Sequence, residues 1–174
     1  MIPTVARATT REDLDAVRDL IRAFAAWGTE QEKQMGGSGT PKVFADLDVE
    51  LAGLPCPFGP PGGCLVLARL DGAPAGCVGF RDLGRGTMEV KRMFVLPEMW
   101  GRGVGGAMLD VLLIEARAAG HARAVLSTHH ALLAAQTLYA RKGFRPMPPT
   151  GELPGIEPDI EIFMAMLLHT PDRI

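Results

Sequence analysis

The chain has 174 residues, 47% hydrophobic and 22% charged, which suits one sizeable core and argues against disorder. Lys and Arg total 18 against 20 Asp and Glu, a net charge of -2, so binding of nucleic acid through phosphate neutralisation is not expected. No apolar run is long enough for a membrane span and no signal peptide is visible. Cys56, Cys64 and Cys77 are odd in number without CxxC spacing, which argues against a disulfide framework or a zinc site and for a cytoplasmic protein with free thiols.

In chain order, residues 3–8 read as a strand. Thr10 is a plausible helix cap with Asp13 at the third helical position, and Leu14, Val17, Ile21 and Phe24 recur at helical spacing up to an expected end near Gly28. Residues 28–41 read as a loop, 43–52 as a second helix, and the Pro/Gly-rich stretch 53–63 as irregular. Residues 64–70, 75–81 and 87–96 form an antiparallel meander, turning at Asp71-Gly72 and again over 82–86. A glycine-rich turn then opens a helix that ends near Ala119, with Gly120 as its cap. A strand at 122–128, a helix at 131–142, a strand starting at Phe144 and Arg145, a Pro-rich segment over 146–158 and a last strand at 160–168 complete one mixed α/β domain over 1–174 without repeats. Cys64, Cys77, Met88, Met93, Met164 and Met166 fall at strand spacing and read as core.

The glycine-rich turn carries most of the functional information. Gly101, Gly103, Gly105 and Gly106 sit between a strand and a helix start, where unpaired backbone N–H groups and the positive helix end favour an anion. A nucleotide-triphosphate loop requires Gly-Lys-Ser/Thr, which is missing. Gly101-x-Gly103-x-x-Gly106 matches a dinucleotide fingerprint literally, yet it follows an antiparallel meander, and the ribose-binding acid is absent near Leu126 and Ser127. An acyl-CoA pyrophosphate loop is the third reading.

Three blocks favour that third reading: Glu89-Val90-Lys91-Arg92-Met93-Phe94-Val95-Leu96-Pro97, then Gly101-x-Gly103-x-Gly105, then Ala135-x-x-Leu138-Tyr139-x-x-x-Gly143-Phe144. In this order they resemble the GNAT superfamily of N-acetyltransferases across roughly residues 3–168. The resemblance implies a mostly antiparallel central sheet flanked by helices. It also implies acetyl-CoA as cosubstrate and transfer of its acetyl group to a primary amine of a small molecule or peptide by direct attack in a ternary complex. Two positions depart from the family. Trp100 stands where Gln or Arg is usual, and Leu132 stands where many members have an Asn that contacts the cofactor.

The resemblance implies that Trp100, Gly101, Arg102, Gly103, Val104, Gly105 and Gly106 wrap the pyrophosphate. Met93, Phe94 and Val95 would offer backbone groups to pantetheine beside a bulge, and Arg102, Arg141 and Lys142 are further phosphate candidates. Glu89 is the candidate base, acting directly or through a water, although Lys91 two residues along makes an ordinary ion pair an equal reading. Tyr139, the only tyrosine, is the candidate acid for the leaving thiolate, against a purely packing role. His129 and His130 read as loop residues rather than as a triad or metal site. For the acceptor, 24–41 and 146–160 are the expected walls; Glu152, Glu157 and Asp159 are there to attract a cationic amine, or simply solvated. The other classes considered are a non-catalytic acyl-CoA sensor and a dinucleotide-dependent oxidoreductase. A homodimer is an analogy with the family only.

Overall fold

The protein is described by a computed structural model covering residues 2–37, 39–153 and 159–168. The elements are β1 (Thr4–Arg7), α1 (Arg11–Gln34), a 3-10 turn (Lys42–Phe44), α2 (Leu47–Gly53), β2 (Cys64–Leu70), β3 (Ala73–Gly84) and β4 (Thr87–Val95). A second 3-10 turn (Pro97–Met99), α3 (Val104–Ala118), β5 (Arg123–His129), α4 (Leu133–Arg141), β6 (Arg145–Met147) and β7 (Glu161–Leu167) follow. They build a 7-stranded sheet in the order β1-β2-β3-β4-β5-β7-β6. Every neighbouring pair is antiparallel except β4 and β5. The expected mixed α/β class with a mostly antiparallel sheet is thus observed. No helix among the described residues is long and apolar enough to cross a membrane.

Helix α1 starts as its sequence dictates. The Thr10 hydroxyl accepts from the Asp13 N–H at 3.1 Å, and the Asp13 carboxylate accepts from the Thr10 N–H at 3.2 Å, a reciprocal capping box. Its end differs from the expectation: α1 runs through Gly28 to Gln34 rather than entering a loop. Gly28 is a packing glycine, since a Cβ there would lie 3.1 Å from the Phe44 ring. The stop comes at Gly36, with φ +88, where Gly36 and Gly37 donate to the Lys33 and Glu32 carbonyls in a Schellman arrangement. The extra turns are polar all round, so hydrophobic periodicity does not mark them. The expected helix over 43–52 is divided into the 3-10 turn and α2. Strand β3 is longer than expected at both ends, and its turn to β4 is only Arg85-Gly86.

The two faces of the sheet are covered separately. Val66, Ala68, Val78, Phe80, Met88 and Val90 face α3 and α4, packing with Met108, Leu112, Tyr139 and Phe144. Leu65, Leu67 and Cys77 face α1 and α2, packing with Val17, Ile21, Leu51 and Phe58. Cys64 and Cys77 are buried core thiols, and burial pushes them up to about 11 and about 12. Met88 and Met164 are buried in the α3-side core, and Met93 and Met166 pack against it, as their spacing suggests.

Two irregularities of β4 create the site. Register with β3 shifts between Cys77 and Gly79, and Arg92 takes φ +57, so Arg92 and Met93 together oppose Val78. This is a bulge, and it flips the alternation. Met88 and Val90 face α3; beyond the bulge Met93 and Val95 do so instead, while Phe94 turns toward α1. On the other edge, β4 pairs with β5 only over Thr87–Glu89, opposite Arg123–Val125. Past Glu89 the two parallel strands separate, and backbone groups of β4 are left facing a wedge.

Candidate active site

The wedge is lined by β4 backbone on one side. Leu96 donates to the Ala75 carbonyl at 3.0 Å, which makes 96 and 75 a hydrogen-bonded pair and its neighbour Val95–Gly76 a non-bonded one. The N–H and C=O of Val95 therefore point away from β3, into the wedge, and Met93 shares that sense. Phe94 pairs with Cys77, so its backbone faces β3 and only its ring belongs to the site. Of the strand residues expected to offer backbone contacts, Met93 and Val95 are positioned for it and Phe94 is not.

The glycine loop stands at the mouth of the wedge. Gly103 is the N-cap of α3 with φ +77, a conformation costly for any residue with a Cβ. The first helical bond runs from Ala107 to the Gly103 carbonyl at 3.1 Å, so the N–H groups of Val104, Gly105 and Gly106 have no partner within the helix. The first turn holds no acid and no side chain caps it. A Cβ on Gly105 would lie 3.0 Å from Leu138 and 3.3 Å from Met93, so only glycine lets α3 approach both α4 and β4 this closely. Lys142 reaches over from the end of α4: its Nζ would lie 3.8 Å from a Cβ at Gly106 and donates to Asp110 at 2.6 Å. Arg102 and Arg141 are exposed.

Trp100 occupies the loop differently from an anion-binding polar residue. Its Nε1 donates to the Val95 carbonyl at 2.9 Å, and its ring meets Trp27 edge-on at 6.2 Å while remaining 57% exposed. Trp27 lies 6.2 Å from Phe94, Phe94 stacks on Phe24 at 5.0 Å, and Phe24 meets Phe44 edge-on at 5.0 Å. These rings form a wall from the glycine loop to α2, on the α1 side of β4. The extended α1 supplies Phe24 and Trp27.

The floor beside this wall is ionic. Glu89 is 2% exposed and accepts from Arg81 Nε at 2.6 Å, with Lys91 Nζ 3.9 Å from its other oxygen. Arg92 donates to both oxygens of Glu50 at 2.7 Å and to the Val43 carbonyl at 3.0 Å, with its guanidinium 5.1 Å over the Phe44 ring. The bulge residue is thereby locked to α2. Arg81 and Arg92 were not singled out from sequence. Counting register back from a two-residue turn at Arg85-Gly86 sets Asp82 opposite Glu89; an irregularity between Asp82 and Gly84, where Gly84 N–H donates to Asp82 at 2.7 Å, slides Arg81 there instead.

Tyr139 projects from α4 into the α3-side core and packs edge-on against Phe144 at 5.9 Å. Burial raises its pKa well above the ordinary phenol value. Its hydroxyl has no hydrogen-bond partner among the described residues. His129, at the end of β5, is half-buried on the α1 side and stacks on His130 at 4.6 Å. Its Nδ1 accepts from the Ala131 N–H at 3.1 Å; burial and His130 lower its pKa, partly offset by Glu32. Leu132 caps α4 without a side-chain bond, and Gln136 ties the turn by donating to the His129 and His130 carbonyls at 3.3 and 2.8 Å. Of the acids expected near the acceptor, Glu152 pairs with Arg123 at 2.7 Å, Asp159 is exposed and Glu157 lies outside the described residues. The described residues contain no group of His, Cys, Asp and Glu arranged to hold a metal ion.

A sheet that opens between two parallel strands onto an uncapped helix start offers one ligand both free strand backbone and an anion site. The sequence profile of the acetyltransferase (GNAT) family matches residues 23–144. An uncharacterised N-acetyltransferase of Schizosaccharomyces pombe is 34% identical over 140 residues, covering 79% of this chain and 80% of that protein. Among solved structures, a GNAT acetyltransferase of Staphylococcus aureus superposes with a TM-score of 0.73 at 19% identity, covering 96% of this chain and 99% of that one. PaiA N-acetyltransferase of Thermoplasma acidophilum, solved in complex with coenzyme A, superposes with a TM-score of 0.71 at 15% identity over 96% and 99%. The chain belongs to the GNAT family of acetyltransferases.

Proposed function

We propose that the protein transfers the acetyl group of acetyl-CoA to a primary amine by direct attack in a ternary complex. The observation that carries this reading is the wedge past Glu89 and Val125, which opens Val95 backbone groups and the uncapped α3 start onto one cleft. The residues fit the cosubstrate. The amides of Val104, Gly105 and Gly106 suit a pyrophosphate, with Gly101 and Gly103 shaping the turn and Lys142 and Arg102 adding charge. Met93 and the Val95 N–H offer strand-like bonds to the pantetheine amides, while the Val95 carbonyl accepts from Trp100 Nε1 and ties it to the loop. When bound, acetyl-CoA supplies an activated acyl group and a thiolate leaving group.

Within that frame, Tyr139 is the acid. Its buried phenol stays protonated through the neutral range and donates its proton to the departing sulfur. Glu89 stands at the last paired position before the wedge, and its burial means that any proton it takes from the amine passes through a water. Its contact with Arg81 supports a second role, holding the cationic floor in place. Glu89→Gln separates the two. Loss of the acidic limb of the pH–rate profile assigns the base; a retained limb with a raised KM assigns positioning.

The test of the whole reading is a thermal-shift series with acetyl-CoA, CoA and NAD, followed by thiol release from acetyl-CoA with an amine panel. Saturation to about 100 times Kd adds about 2.7 kcal/mol, several degrees for a chain of this size. Stabilisation by both acyl-CoA ligands and amine-dependent thiol release are expected. Stabilisation by NAD alone, or no thiol release with any amine, rejects the reading.

A further inference from the structure

We infer that the acceptor amine also carries a carboxylate, received by Lys91, and an apolar ring seated against Phe24 and Trp27. The inference rests on the acetyl-transfer reading and names the substrate class of that site.

Among the described residues, the floor of the acceptor side carries one more cation than anion. Arg81, Lys91 and Arg92 are set against Glu89 and Glu50, three cations to two anions. The anions are already held at hydrogen-bond distance: Glu89 by Arg81 at 2.6 Å, and Glu50 on both oxygens by Arg92 at 2.7 Å. Lys91 is left over. Its side chain is only 16% exposed, its nearest carboxylate oxygen is 3.9 Å away, and no acceptor among the described residues lies within hydrogen-bond distance of its Nζ. The ammonium has three donors and no such acceptor at hydrogen-bond distance, yet its Nζ is reachable from solvent, so an incoming anion can meet it directly. Burial and the neighbouring arginines also depress its pKa, and a carboxylate against it acts in the opposite direction.

Lys91 immediately precedes the bulge, so it points to the α1 side just where β4 leaves β5. The adjoining wall is aromatic. Phe24 and Trp27 are only partly buried and offer ring surface beside the charged floor, with the buried Phe94 ring stacked behind Phe24. Such a surface takes a flat apolar group. A polyamine or a lysine side chain would instead bring a second cation against Lys91. An amino acid with an aromatic side chain has the matching features: amine, carboxylate and ring on one small frame.

The experiment compares L-phenylalanine with L-phenylalaninamide at saturating acetyl-CoA, read as thiol release, in the wild type and in Lys91→Gln and Lys91→Arg. The amide has the same ring and a more readily deprotonated amine, so a preference for the acid reports recognition of charge. The wild type is expected to favour the acid at least tenfold in kcat/KM. Lys91→Gln is expected to lower kcat/KM for the acid at least tenfold more than for the amide, through KM for the acid, and Lys91→Arg to restore most of the preference. Equal or better use of the amide by the wild type overturns the inference without any variant. Equal losses on both substrates in Lys91→Gln overturn it as well. Acetylation of spermidine but of neither phenylalanine compound overturns it and leaves acetyl transfer standing. No stabilisation by acetyl-CoA and no thiol release with any amine overturns both.

Discussion

Glu89 and its partners show how much of the site's chemistry is set by single contacts. A carboxylate that is 2% exposed is met by Arg81 at 2.6 Å on one oxygen, and Lys91 lies 3.9 Å from the other. Removing one member exposes the cost of the other. Glu89→Gln is expected to lower stability in urea by about 2–3 kcal/mol, short of the full buried-pair penalty because the Arg81 side chain is 25% exposed. Replacing both Glu89 and Arg81 by Met is expected to recover much of that loss, since no unpaired charge is left behind. A double variant no more stable than the single one refutes the account. Tyr139 poses the opposite case, a polar group in an apolar setting. Tyr139→Phe keeps the ring against Phe144, so the midpoint of thermal unfolding is expected to move little. If the phenol delivers the proton to the leaving group, kcat falls about 100-fold or more with KM for acetyl-CoA nearly unchanged. Unaltered turnover removes Tyr139 from the mechanism.

At the scale of elements, the cleft depends on α3 starting close to both β4 and α4. Gly105 fixes that approach. Gly105→Val places a branched side chain where Leu138 is already 3.0 Å from a Cβ and Met93 3.3 Å. The expected outcome is a loss of about 1–3 kcal/mol from overpacking and a reduced thermal shift with acetyl-CoA, as the unpaired amides move away from the wedge. A variant with wild-type stability and shift contradicts this. The elements around the cleft differed in how plainly their sequence announced them. β2 and the start of α3 are bounded by turn glycines and carry clear apolar patterns, so their limits were legible. The last turns of α1 were not, because Thr29, Glu30, Gln31, Glu32, Lys33 and Gln34 show no apolar face and Gly28 resembles a stop. The bulge left no local signal either. Arg92 at φ +57 is held by Glu50 and Phe44, contacts 42 residues and more away in the chain. The candidate loop and Tyr139 came from spacing and family likeness. Arg81 under Glu89 required a register that an irregular turn had shifted. The role of Trp100 as a bridge from Val95 to Trp27 required three dimensions.

For the whole molecule, the first helix must be fixed to the sheet before it can wall the site, and one ion pair does this near its start. Asp13 caps α1 and also accepts from Arg69 of β2 at 2.9 Å, so a single carboxylate joins helix and sheet. The Arg69 guanidinium, together with the Thr10 and Thr9 N–H groups and the Thr10 hydroxyl, outweighs the opposing effect of desolvation and holds its pKa at about 2, below the ordinary 3.8. A folded-state pKa below the unfolded one means that the unfolded chain binds the proton first as acid is added. The stabilisation is therefore complete above about pH 5, shrinks as pH falls through the ordinary carboxyl range, and is gone below about pH 2. Asp13→Asn removes the charge at every pH. Urea unfolding of wild type and variant is expected to differ by about 1 kcal/mol at pH 7, a modest value for a pair at the edge of the fold. The gap should close steadily between pH 5 and pH 2, even though the other paired carboxylates erode both proteins together in that range. A gap that stays constant through acid locates the cost of the substitution in packing or cap geometry, and the charged link between α1 and the sheet then contributes nothing to holding the site's wall in place.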